Sequence, residues 1–170
     1  MSLPRRWGVD QLSKRANRKL SLQVLKKFRL IYGAVRHHFR EVEQSTGISG
    51  SQLWILREVG NTPEIGISQL AERLSIHQST CSLLVEKLVA RDLIRKERSK
   101  QDQRRVGLNL LPQAELLLAH APGPAEGVLP EALLSLPEDS LQALDESLAK
   151  VIQRLDISDP SLADKPLADL

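Results

Sequence analysis

The side chains best suited to directional contacts with a partner lie close together, ten residues apart at most, beginning at residue 78. A glutamine amide can form two hydrogen bonds with the edge of an adenine, a serine hydroxyl can donate to or accept from several base edges, and a leucine can contact a thymine methyl. Polar residues at a helix start are also often only caps or solvent face, and that alternative stays open. The candidate set is Gln78, Ser79, Ser82, Leu83 and Lys87.

A strongly basic stretch follows a few residues later. Five of the ten residues from 96 to 105 are Lys or Arg, and two are acidic. Such cations suit phosphate groups, which fix the position of a protein on a duplex without reading its sequence. We expect Arg98, Lys100 and Arg105 to contact phosphates. The charged members of the stretch are Lys96, Glu97, Arg98, Lys100, Asp102, Arg104 and Arg105.

The charge of the chain is divided between its two parts. Residues 1–110 hold 21 Lys/Arg against 10 Asp/Glu, a balance of +11, whereas residues 111–170 hold 3 against 11, a balance of −8. This asymmetry favours a polyanionic partner for the first part, although charge runs are also often simply solvated. One cysteine excludes an intramolecular disulfide, and no signal or membrane segment is evident. We expect a cytoplasmic protein without a membrane partner.

Catalytic and metal-binding interpretations have little support in the sequence. His77 and Cys81 are four residues apart, but Cys81 falls on a predicted buried stripe, where cysteines are usually inert. His37, His38 and Glu41 could bind a metal, yet they more plausibly form a polar helix face. There is no glycine-rich phosphate loop, paired-histidine zinc motif or nucleophile elbow. We therefore expect no catalytic residues, no metal, no cofactor and no enzymatic activity.

The first and last parts of the chain are predicted to be helical. Apolar residues recur at spacings of three and four from about Ser21, which indicates a helix ending near Gly47 and packing along another helix. A last helix is predicted from Pro137, and residues beyond Asp156 resemble a tail. The first helix needs a partner surface, which a second subunit or the C-terminal helix could supply. The proposed dimerisation residues are Leu25, Phe28, Tyr32, Leu141, Leu144, Leu148 and Ile152.

The middle of the chain has the pattern of two short helices followed by a hairpin. Ser49 and Gln52 are spaced as a capping box, which predicts a helix from Ser49 to about Gly60. Ser68 is available as the cap of the next helix. The remaining predicted elements are helices over Ile67–Leu74, Gln78–Arg91 and Val128–Leu134, strands over Leu93–Arg98 and Arg104–Leu110, and a helix after Pro112 that is broken at Pro122–Pro124.

A helix-turn-helix followed by a basic hairpin is the plan of a winged helix-turn-helix, and the stretch from Ser68 to Gln113 resembles the MarR family of bacterial regulators. The resemblance extends from about Leu25 to Leu155. It implies a homodimer, double-stranded DNA as partner and, often, a small-molecule effector. In the family signature matched by Asp102-x-Arg104-Arg105, an aspartate braces an arginine that enters the minor groove. Leu83 departs from the pattern, because the family commonly has a basic residue there.

These observations predict a mainly α protein with a small two-stranded β wing. The domains are a basic N-terminal extension (1–24), a helical dimerisation region (25–48 and 112–156), a winged helix-turn-helix (49–111) and a tail (157–170). We expect a dimeric, sequence-specific transcription regulator, a repressor relieved by an effector, that binds a pseudo-palindromic operator. The alternative is a winged-helix module that has lost DNA binding and docks proteins. The basic hairpin favours the first interpretation, and Leu83 favours the second.

Overall fold

The computed structural model describes residues 7–98 and 106–169, with side chains from residue 17 onward. Within these ranges the chain folds into seven α-helices and one two-stranded antiparallel sheet, with two short 3₁₀ turns at the end. The predicted fold class is confirmed. The elements are α1 (Trp7–Thr46), α2 (Gly50–Asn61), α3 (Ile67–Arg73), α4 (Gln78–Val89), β1 (Ile94–Arg98), β2 (Val106–Leu110), α5 (Pro112–His120), α6 (Val128–Leu134) and α7 (Glu138–Ile152).

Helix α1 is longer than the apolar periodicity indicated. It begins at Trp7 rather than near Ser21, so residues 7–24 of the predicted N-terminal extension belong to the first helix. No proline lies between Pro4 and Pro63, and nothing in the sequence interrupts the helix. It ends as predicted at Gly47, whose φ of 69° lies in the left-handed region and whose amide donates to the Glu43 carbonyl.

Helix α2 begins with the capping box that the sequence indicated. The Ser49 hydroxyl accepts from the Gln52 amide, and the Gln52 side chain accepts from the Ser49 amide at 3.0 Å. Helix α3 differs from expectation at its start. Gly66 is its N-cap and no side chain caps it, so the assignment of Ser68 as the cap was wrong.

The core lies where α2, α3, α4 and the sheet meet. Ala71 is buried on α3 and permits the close approach of α4, and the Ile76 amide donates to the Ala71 carbonyl across the turn between them. Ser75 in that turn has φ +52°. The largest fully buried side chains here are Leu53, Ile55, Leu56, Ile65, Leu70, Leu88, Leu93, Ile94 and Leu108.

The two strands pair in one register, with Ile94 opposite Leu110 and Arg98 opposite Val106. Ile65, just before α3, adds a bridge to Leu108 on the other edge of β2. This bridge brings the two backbones so close that a Cβ at Gly107 would lie 2.7 Å from the Glu64 Cα. A glycine is therefore required at position 107.

The C-terminal half follows the predicted breaks. Helix α5 ends at His120, and a loop containing Gly123 (φ +66°) and Gly127 (φ +100°) separates it from α6. Helix α7 then presents its apolar side chains to solvent, since Leu141, Leu144, Val151 and Ile152 are all exposed.

The last residues do not form a free tail. Residues 157–169, here the C-terminal segment, contain two 3₁₀ turns and return to the start of α2 and α4. Pro166 in this segment is buried. The segment predicted as a tail beyond Asp156 is therefore folded against α2 and α4 over residues 157–169.

Within residues 7–98 and 106–169, no helix combines the length and apolar character needed to cross a membrane.

Candidate nucleic-acid interface

Helix α4 has one buried face and one exposed face. Cys81, Leu84, Val85 and Leu88 are buried in the core, as the spacing predicted. Because these residues fix the rotation of the helix, the opposite face must point to solvent. On that face lie Gln78, Ser79 and Lys87, which are exposed, Ser82, which is half-buried, and Leu83, which is 66% exposed.

The N-terminus of α4 carries a feature that the sequence reasoning missed. His77 is the N-cap, and its side chain makes no cap hydrogen bond. Instead the His77 amide donates to the Asp164 carbonyl at 3.3 Å, and the His77 Nε2 lies 3.1 Å from the Asp164 carboxylate. An aspartate 87 residues later in the chain therefore lies beside the start of the helix proposed to read bases. No local sequence signal relates the two residues.

The wing comprises residues 93–110. Arg98 lies at the end of β1 and is exposed, as a phosphate-contacting residue requires. The remaining predicted wing contacts, Lys100, Arg104 and Arg105, lie outside the described residues, as does the bracing residue Asp102. Their roles stay predictions.

The base of the wing is attached to α4. Lys96 on β1 forms an ion pair with Glu86 on α4. The positive charge of Lys96, one of the basic residues of the wing, is therefore neutralised within the protein. Glu97 accepts a hydrogen bond from Asn109 on β2 at 2.9 Å. It also pairs with Arg95 on its own strand at 3.1 Å. The described part of the wing is thus held in a defined position relative to α4.

Cys81 does not have the environment of a nucleophile. It is fully buried in the core, and burial raises the pKa of its thiol to about 11. A thiol with that pKa is protonated at neutral pH, and only the thiolate is reactive.

The histidines of α1 face in different directions. His37 is exposed and lies 3.4 Å from Glu41, one helical turn away. His38 is buried and packs near Gly123, where a Cβ would lie 3.1 Å from its ring. In the described part of the chain, no group of three His, Cys, Asp or Glu side chains is placed to hold a metal ion.

All but one of the predicted dimerisation residues are exposed, on α1 and on α7. Leu25, Phe28 and Tyr32 form part of an apolar face on α1, where Arg36 lies 5.6 Å from the Tyr32 ring centroid. On α7 the corresponding residues Leu141, Leu144, Leu148 and Ile152 lie on one face, and Leu148 alone is half-buried.

A cavity of about 200 Å³ lies at the junction of α1, α2, α6 and the C-terminal segment. Its apolar walls include Phe39, Trp54 and Leu129, and Ile76 and Leu167 also contribute.

Comparison with other proteins places these features in a known context. The sequence model of the MarR family matches residues 46–105. The chain is 22% identical over 146 residues to the HTH-type transcriptional repressor MdtR of Bacillus subtilis, covering 86% of this chain and 89% of that protein. It is 25% identical over 121 residues to the HTH-type transcriptional regulator MgrA of Staphylococcus aureus, covering 71% of this chain and 81% of that protein.

Solved structures show the same fold. The S. aureus MepR–DNA complex superposes with a TM-score of 0.53 at 20% identity, covering 76% of this chain and 94% of MepR. A MepR-like protein complexed with pseudoligands superposes with a TM-score of 0.51 at 18% identity, covering 81% of this chain and 92% of that protein.

Proposed function

We propose that the chain is a dimeric transcription regulator of the MarR family that binds a specific sequence of double-stranded DNA, and the family model and the similarity to MdtR and MgrA support this assignment. The observation that carries the proposal is the outward face of α4. Gln78 and Ser79 are exposed there, and the wing is attached to the same helix through Glu86. A short polar helix with a cationic hairpin fixed beside it fits a major groove and its flanking backbone.

In this proposal α4 lies in the major groove with its N-terminal end towards the bases. Gln78 and Ser82 select the sequence by hydrogen bonding, and Leu83 contacts a thymine methyl. Arg98, Lys100 and Arg105 contact phosphates, while Arg104 enters the minor groove and Asp102 holds it in place. The shared fold with MepR, solved as a DNA complex, supports this arrangement.

We propose that two copies associate through α1 and α7. Both helices expose apolar faces, which are costly to leave in water. Their charges are also complementary. Residues 11–40 of α1 include nine Lys/Arg and no acid, whereas α7 carries Glu138, Asp139, Asp145 and Glu146 against Lys150. These opposite charges favour packing α1 of one copy against α7 of the other.

A two-fold dimer places two copies of α4 on one side of the assembly. The operator should therefore be pseudo-palindromic, with half-site centres about 10 base pairs apart, the spacing of successive major grooves. Occupation of such a site near a promoter would repress transcription, and the similarity to a named repressor, MdtR, supports that sign of regulation.

We further propose that a small apolar effector relieves binding from the cavity at the junction of α1, α2 and α6. The cavity lies between α1 and α6 on one side and the DNA-binding lobe (residues 49–111) on the other, so a ligand there could change their relative position. A protein of similar fold has been solved with pseudoligands bound.

One observation favours a different function. Leu83 is 66% exposed on the face proposed to meet DNA, and an exposed leucine is also suited to an apolar protein contact. A winged-helix interaction module would keep the fold and the exposed Leu83 without binding DNA. The two functions differ in the salt dependence of DNA binding. Only the regulator should bind DNA with an affinity that falls steeply as the salt concentration rises.

The test is a pull-down of genomic fragments by the purified full-length chain, followed by sequencing and by anisotropy titration of the enriched site. The regulator should enrich an inverted repeat and bind it with a salt slope of several units. Enrichment of no motif, with salt-independent or absent binding, would leave the interaction module as the function.

A further inference from the structure

The C-terminal segment contacts the N-terminal ends of two helices of the DNA-binding lobe, α2 and α4. The Ser51 hydroxyl, at the start of α2, donates to the Asp169 carboxylate, whose two oxygens lie 3.1 and 3.0 Å from it. Asp164 contacts His77 through its carbonyl and its carboxylate. Pro166 is buried between these two points. The segment therefore spans from α2 to the N-cap of α4.

The segment is acidic and internally ordered. It contains Asp159, Asp164 and Asp169 against Lys165. Asp159 caps the first 3₁₀ turn by accepting from the Ser161 amide at 3.0 Å, and it pairs with Lys165 at 3.3 Å. The hydrogen bonds from the Ser161 and Lys165 side chains are the main reason that the pKa of Asp159 is lowered. Asp164 and Asp169, by contrast, are directed at the helix-turn-helix.

The Asp164 carboxylate lies beside the N-terminal end of the proposed reading surface. Its side chain is 50% exposed and lies beside His77, the residue immediately before Gln78. A helix N-terminus that enters a major groove comes between two rows of phosphates. A carboxylate held at that position repels the phosphates and occupies the histidine that would otherwise face them.

We propose that the C-terminal segment is an intramolecular brake on DNA binding, which places the Asp164 carboxylate at the N-terminus of α4 and must be displaced or tolerated at a cost when DNA binds. The brake rests on the proposed DNA-binding function.

The contacts are of a kind that can be released. The contact between the His77 ring and the Asp164 carboxylate is more than half exposed on the histidine side, and Leu162 and Leu167 in the segment remain exposed. Exposed contacts of this type contribute little to stability, so this one can be broken at little cost. The segment also follows α7 directly, and a change in the packing of α7 would move the point from which the segment returns.

The experiment compares full-length variants for affinity to the enriched DNA site. In the double variant Asp164→Asn/Asp169→Asn the side chains keep their shape but lose both charges. The matched control is Asp156→Asn, which removes an exposed acid just before the segment. The double variant should bind about threefold to tenfold more tightly at low salt, with the difference shrinking as salt is raised, and the control should bind like the parent.

A reversible crosslink tests the docked state itself. Ser51→Cys with Asp169→Cys brings two thiols together when the segment is docked, and the native Cys81 is buried and does not compete. The oxidised protein should bind DNA more weakly than the same sample after reduction. The melting temperature of the DNA-binding lobe should be the same in both redox states, so a change in stability does not explain the difference in affinity.

The outcomes separate the two proposals. Equal affinity of the parent, the double variant and both redox states of the cysteine pair would overturn the brake and leave DNA binding intact. Absence of DNA binding in every variant, with the crosslink still forming, would overturn the proposed function and the brake with it.

Discussion

Lys96 on β1 and Glu86 on α4 form an ion pair that joins the base of the wing to the helix proposed to read DNA bases. The pair is partly exposed, with Lys96 30% and Glu86 57% accessible, so it contributes little to stability. Its consequence is positional. The hairpin cannot rotate independently of α4 without breaking it, and the charge of Lys96 is already neutralised within the protein.

Two cations on the same face of β1 should therefore differ in their effect on DNA binding. Arg98→Ala should weaken binding to all sequences alike and reduce the salt slope by about one unit, because one phosphate contact is lost. Lys96→Ala should change the slope much less, since its charge is held by Glu86. Anisotropy titrations between 50 and 200 mM salt, a range in which phosphate contacts dominate affinity, provide the measurement. Equal slopes for the two variants would contradict the assignment.

Sequence preference should depend on Gln78. Gln78→Ala should remove a bidentate hydrogen bond and cost about 1–3 kcal/mol against the preferred base while leaving binding to other sequences nearly unchanged. Gln69→Ala on α3 is the control, because Gln69 is also exposed but lies on the helix expected to cross behind α4. Selection from a randomised duplex library compares the motifs. An unaltered motif with Gln78→Ala would exclude this residue from base reading.

Self-association should depend on the apolar face of α7. Leu144→Glu places a charge among the apolar side chains proposed to meet the second copy, and it should shift the protein to monomers. Leu83→Glu is the matched control, since it introduces the same charge at an exposed leucine on α4. It should weaken DNA binding and leave the dimer intact. Light scattering during size exclusion reports both masses, and a dimeric Leu144→Glu protein would place the interface elsewhere.

Gly107 should be among the least replaceable residues of the sheet. A Cβ there would lie within 2.9 Å of three atoms of Glu64, so Gly107→Ala should destabilise the fold by about 1–3 kcal/mol. Gly33→Ala on α1 meets no atom within 4 Å and should instead stabilise by about 0.5–1 kcal/mol, as expected within a helix. Urea unfolding at one fixed protein concentration measures both. A neutral Gly107→Ala would argue against the bridge between Ile65 and Leu108.

The thiol of Cys81 should react only when the protein unfolds. Its pKa is raised from 9.0 to about 11 by burial, so the thiolate is disfavoured in the folded state. The stability contributed by the protonated thiol is complete below pH 9 and declines as the pH rises towards 11. A thiol-specific chromophore should label the native protein slowly at pH 7.5 and rapidly in denaturant. Fast labelling of the native protein would contradict the buried position.

Much of the DNA-binding lobe could be predicted from sequence because its signals are local. The capping box of Ser49 and Gln52, the stop at Gly47 and the breaks around Gly123 each depend on residues a few positions apart. The buried stripe of α4 follows from spacing alone, and it fixed the prediction of Gln78 and Ser79 as exposed. The burial of Cys81 was predictable in the same way.

The features that could not be predicted depend on residues far apart in the chain. Asp164 is beside His77, and Asp169 is beside Ser51, only because the C-terminal segment folds back. The start of α3 at Ile67 was predicted, but its N-cap Gly66 was not, because glycine has no capping side chain that a sequence pattern could indicate. The early start of α1 was missed because its basic first turns lack an apolar periodicity.

Protection of the enriched DNA site from chemical modification tests the central claim most directly, since methylation at guanine N7 occurs in the major groove. The account predicts two clusters of protected N7 positions about one helical turn apart on one face of the duplex, both weakened by Gln78→Ala because it lowers the affinity for the site. An unprotected major groove, or a single cluster unaffected by Gln78→Ala, would contradict the placement of α4 in successive major grooves.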